Sequence, residues 1–105
     1  MPRFSVYENS GDHAKNTPLL LDVQTDLLSG LDTRIVIPLR KITLYKNIKL
    51  PADLMPTFSI RGSEFVLETP KMAAVPSKLL KKEVGTLKDQ QHIVVTAIDR
   101  LFHGF

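Results

Sequence analysis

The apolar residues of this chain change period once, and that change constrains the fold more than any single motif. Before Asp89 they come in short, partly alternating runs broken by turn residues. From Asp89 onward Ile93, Val94, Ala97, Ile98, Leu101 and Phe102 recur at steps of three and four. Short runs and alternation are the mark of strands, and three-four spacing is the mark of a helix. The chain is therefore predicted to be mostly β with a C-terminal α-helix. That helix should run about four turns, roughly 20 Å. With Val95 and Phe105 included, its apolar arc covers about 200°, whereas one core-facing stripe needs about half that. Part of the arc should pack on the strands, and the remainder should meet a second copy of the chain or another protein.

Arg3 to Tyr7 alternates, with Phe4 and Val6 on one face. Glu8 to Thr17 carries Asn9, Ser10, Gly11 and Asp12 and reads as an exposed loop. Leu19 to Val23 and Arg34 to Leu39 have strand composition and are joined through Leu27, Leu28, Ser29 and Gly30. Pro38 should put the end of the second strand at a sheet edge or a bulge, because proline donates nothing to a ladder. The clearest hairpin is Thr57 to Ile60 with Glu64 to Thr69, where Phe58 and Ile60 match Phe65 and Leu67 across an Arg61-Gly62-Ser63 turn. An irregular loop should fill Lys46 to Pro56. Short strands with close connections imply a small antiparallel barrel or sandwich.

At 105 residues the chain is expected to form a single domain, residues 1–105. Its opening MPRFSVYENS does not resemble a secretory signal, which points to a cytoplasmic protein. There is no cysteine, and His13, His92 and His103 are too scattered for a zinc site, so neither metal nor cofactor is expected. The net charge of +3 is too mild to announce a nucleic-acid binder. The sequence carries no G-x-S-x-G elbow, phosphate-cradling glycine loop or H-E-x-x-H helix, which makes an enzyme the weaker expectation and leaves no catalytic residue to name. Asp22 and Asp26 stand four apart, a spacing that does not force two carboxylates together in strand and turn geometry. At the C-terminus, Gly104 is placed to cap the helix. Phe105 would then either fold back on the strands or be offered to a partner.

Several segments, in order, resemble one family: LDVQTDLL at Leu21 to Leu28, TRIVIPL at Thr33 to Leu39, KMAAVP at Lys71 to Pro76, and a terminal helix closing on LFHGF. They are similar to CcdB toxins of bacterial toxin–antitoxin modules. The resemblance implies an SH3-like β-barrel of the kind shared with the Kid and MazF toxins, and a homodimer. It also implies a protein that binds the DNA gyrase A subunit and traps the gyrase–DNA cleavage complex. In that family the last three residues, a tryptophan, a glycine and an isoleucine, bind gyrase at the dimer axis. They fall here on His103, Gly104 and Phe105, with the helix positions Ile98, Leu101 and Phe102 at the dimer seam. Histidine offers less stacking surface than tryptophan to a gyrase arginine.

A CcdA-type antitoxin is the second partner implied, together with DNA reached only through gyrase or through a repressing toxin–antitoxin complex. Arg40, Lys41, Tyr45, Lys46 and Lys49 form the basic stretch expected to meet an acidic antitoxin segment. Two other readings stay open. One is a ribonuclease toxin on the same fold, for which His13, Asp22 and Arg34 are the available residue types. The other is a detoxified relative that only binds antitoxin.

Overall fold

The computed structural model describes residues 2–11, 14–28 and 30–104. Among the described residues, seven strands form one antiparallel sheet that curls into a half-barrel, with a helix at its C-terminal end. The strands are β1 (Ser5–Glu8), β2 (Leu19–Asp22), β3 (Thr33–Lys41), β4 (Thr57–Ile60), β5 (Ser63–Leu67), β6 (Ala73–Pro76) and β7 (Glu83–Thr86), and α1 spans Gln91–His103. Their order across the sheet is β4-β5-β3-β2-β1-β7, with β6 also paired to β3. This is the expected mostly-β architecture with its terminal helix.

The hairpin expected from alternation forms with Phe58 opposite Phe65 and Ile60 opposite Ser63. Its turn is tighter than expected. Arg61 and Gly62 have φ of 54° and 81°, so the two of them alone supply the left-handed conformations of a two-residue hairpin turn, and Ser63 already pairs. At the N-terminus the strand starts at Ser5 rather than Arg3, because Phe4 has φ of 71° and cannot continue an extended ladder. Phe4 and Val6 nevertheless share one core, as their alternation predicted.

Pro38 lies within a nine-residue strand, opposite Leu20, and marks neither the strand's end nor an outer edge of the sheet. On its other side, β3 pairs with β6 through Val36 and with β5 from Leu39 onward. The Pro38 carbonyl accepts the Glu68 N–H at 2.9 Å. A strand residue directs N–H and C=O to the same side, so the missing donor falls where one neighbouring strand gives way to the next.

The sheet's two faces differ. The inner face holds the main core, with Phe4, Leu21, Ile37, Leu39, Phe58 and Leu67 packed under Val94 and Ala97 of α1. On the other face a smaller cluster gathers Tyr7, Leu20, Val36 and Leu80, with Val75 against it. On this second face, alternating with the core residues of β2 and β3, Asp22 and Arg34 form a buried pair, NH2 to Oδ2 at 2.8 Å and Nε to Oδ2 at 2.9 Å. Among the described residues no helix is long and apolar enough to cross a membrane.

Candidate functional site

The end of α1 is built by local rules. Gly104 adopts φ of 78°, a left-handed conformation open to glycine at little cost, and its N–H closes on the Arg100 carbonyl at 3.1 Å. Arg100 reinforces the turn, donating from NH1 to the Gly104 carbonyl at 2.7 Å, and pairs through Nε with Asp53 at 3.1 Å. That ion pair ties the irregular 46–56 loop to the helix end. His103 is exposed at this fixed terminus. Phe105 lies outside the described residues.

Only part of the helix's apolar arc is used within the chain. Val94 and Ala97 are fully buried, and Ile93, Val95 and Ile98 are partly buried against the core. Leu101 is half-buried, and Phe102 is 64% exposed. Of the expected seam residues, Ile98 thus serves the core as well, and Phe102 projects from the molecule. The helix end and the uncovered part of its apolar face adjoin one another.

The basic stretch divides. Lys41, Lys46 and Lys49 are exposed, whereas Arg40 and Tyr45 turn toward Glu68. The Tyr45 hydroxyl donates to Glu68 Oε2, the Arg40 guanidinium stands 5.8 Å from the Tyr45 ring, and Arg40 NH1 and Lys71 Nζ lie 3.9 and 3.5 Å from the same oxygen. Burial first, and then the hydrogen bond and charge of Glu68, push the Tyr45 phenol up to about 12. Arg40, Glu68 and Lys71 form one end of a groove of about 460 Å³ on the outer face of the sheet. Leu20, Val36, Pro38 and Val75 line its floor, and Asn9 and Thr17 stand at the loop side. Asn9 shapes that loop, accepting the Gly11 N–H at 2.9 Å and donating to the Thr17 carbonyl at 2.8 Å.

Comparison with protein families matches residues 3–104 to the family described as CcdB protein. This chain belongs to the CcdB family. Membership makes it a toxin of the CcdB type, and the curled sheet with its terminal helix is the architecture the resemblance implied.

Of the residues considered for nuclease chemistry in this CcdB toxin, Asp22 and Arg34 lie among the described residues. Asp22 and Arg34 do come together, but at 0% and 1% side-chain exposure, where no substrate reaches them. Asp26 Oδ1 lies 3.6 Å from the same guanidinium and accepts the Arg3 N–H, so it links the N-terminal segment to that pair. Burial pushes the Asp22 carboxyl up, against the opposing pull of Arg34. His13 lies outside the described residues, and among those residues no metal-binding group forms. Two features of the CcdB chain were missed from sequence. Glu68 reads as an ordinary strand-end residue, and its partner Tyr45 is 23 positions away. Leu27 and Leu28 read as a connection, yet are 92% and 48% exposed.

Proposed function

We propose that this CcdB toxin, acting as one 105-residue cytoplasmic domain, poisons DNA gyrase and has no enzymatic activity of its own. In this reading the chain forms a homodimer whose seam includes Ile98, Leu101 and Phe102, and His103, Gly104 and Phe105 engage the gyrase A subunit. The supporting observation is the capped helix end beside an apolar surface the chain leaves open, with Phe102 64% exposed. A CcdA-type antitoxin neutralises the toxin through the basic stretch of Arg40, Lys41, Tyr45, Lys46 and Lys49, and the toxin–antitoxin complex represses transcription. Charge complementarity supports that assignment.

The test adds purified toxin to supercoiled plasmid, gyrase and ATP, then denatures the gyrase. Linear plasmid is the expected product, and its absence would count against gyrase as the target. A parallel incubation with mixed-sequence RNA should leave the RNA intact; cleavage would favour the ribonuclease reading. His103→Trp should raise poisoning potency about tenfold by enlarging the stacking surface. Removing Gly104 and Phe105 should abolish poisoning while the dimer persists in light scattering. Loss of the folded dimer would instead show that the tail ties down the fold.

A further inference from the structure

The helix end that carries His103 and Gly104 is held by a residue far from it in the chain. The Arg100 guanidinium spans two partners: Nε pairs with Asp53 Oδ2 at 3.1 Å, and NH1 donates to the Gly104 carbonyl at 2.7 Å. Helical side chains lean toward the helix N-terminus, so reaching a carbonyl four residues on runs against that lean, and Asp53 supplies the anchor. The guanidinium is a rigid plane, so fixing Nε also fixes the direction in which NH1 points. Asp53 is itself set in place. It is the third residue of a turn closed by the Leu54 N–H on the Pro51 carbonyl at 3.1 Å, and the Met55 N–H reaches the same carbonyl at 2.8 Å. Buried Pro56 then ties the turn to β5, its carbonyl accepting the Leu67 N–H at 2.9 Å.

We propose that Asp53 is a positioning residue for target engagement: through Arg100 it fixes the Gly104 carbonyl, and with it the direction in which the tail is offered to the gyrase A subunit. The inference rests on the gyrase reading above and adds to it a residue from the 46–56 loop. Glycine has the widest choice of backbone conformations, so the one at the helix end is where an unclamped tail would wander. Without the clamp that freedom is lost only when gyrase binds, and affinity falls by the cost of ordering it. The ion pair is 47% exposed on the arginine side and 53% on the aspartate side, so it adds little to folding stability. Its effect falls on the order of the tail rather than on the fold.

The test passes the full-length toxin over immobilised gyrase A subunit and reads affinity by surface plasmon resonance. Asp53→Ala should weaken binding about fivefold, with the urea midpoint and the mass in solution unchanged. Asp53→Glu, which keeps the carboxylate, should recover most of that loss. Arg100→Leu should weaken binding at least as much as Asp53→Ala, and combining the two should add nothing, because Asp53 acts only through Arg100. Additive losses would show that Asp53 touches gyrase itself and would overturn the proposal, as would wild-type affinity in Asp53→Ala. Amide relaxation of the free toxin gives a readout independent of gyrase: the Gly104 order parameter should fall in Asp53→Ala and Arg100→Leu alike, and an unchanged value would overturn the clamp. If the wild type failed to bind the gyrase A subunit, the gyrase reading and the part of Asp53 in it would both fall, whereas a lowered Gly104 order parameter would still establish the clamp.

Discussion

The molecule buries two carboxylates beside guanidinium groups, and it treats them differently. Asp22 receives Arg34 through two donors at 2.8 and 2.9 Å and the Gln24 N–H at 3.1 Å. Glu68 is as deeply buried, yet its cations stand at 3.5 and 3.9 Å, and one of its oxygens is unmatched. Arg34 is enclosed at 1% exposure, whereas Lys71 is 61% exposed. The closed pair joins β2 to β3 and serves the fold. The open one sits at the end of the groove on the outer face.

Removing each arginine tests that contrast most sharply. Arg34→Met leaves Asp22 buried without its cation and should lower stability by about 3–5 kcal/mol, read from the urea midpoint. Arg40→Met removes a contact at 3.9 Å from a side chain that is 28% exposed, and should cost below about 1 kcal/mol. Equal losses would show that the second cluster is also a structural element.

A smaller effect is expected from Glu68→Leu. Losing the acceptor of Tyr45 is offset by removing a buried carboxylate with an unmatched oxygen, so stability should stay within about 1 kcal/mol of wild type. A destabilisation as large as that of Arg34→Met would erase the distinction between the two sites.

The contrast also explains what the sequence could convey. The Thr57–Ile60 hairpin was legible because its alternation and its Arg61-Gly62 turn are local. The C-terminal helix was legible from its period, as was Gly104 from its place just past the last turn. Pro38 was misplaced because its tolerance depends on β5 and β6 meeting beside β3, a non-local arrangement. The groove's polar end joins Arg40 and Tyr45 to Glu68 and Lys71 from a separate segment, and no spacing rule links them. The basic stretch was visible as charge, but that two of its members turn inward was not.

The gentlest probe of the open cluster is the Tyr45 phenol. Its value in the folded protein is raised from 10.0 to about 12, so between those values the unfolded chain releases a proton that the folded chain retains. Stability from this group is therefore complete below pH 10 and declines as pH rises toward 12. The Tyr7 phenol is also raised, chiefly by burial, and adds to the same decline. Tyr45→Phe takes the donor from the buried Glu68 Oε2, so it should lower neutral-pH stability by about 1 kcal/mol and flatten the alkaline loss, followed by urea midpoints across that range. In a phenolate absorbance titration of the folded protein, the variant should lack the later of the wild type's rises, and Glu68→Leu should move that rise to lower pH. If Glu68→Leu left the titration unmoved, burial alone would account for the shift, and the Tyr45–Glu68 bond would not be what organises the end of the groove.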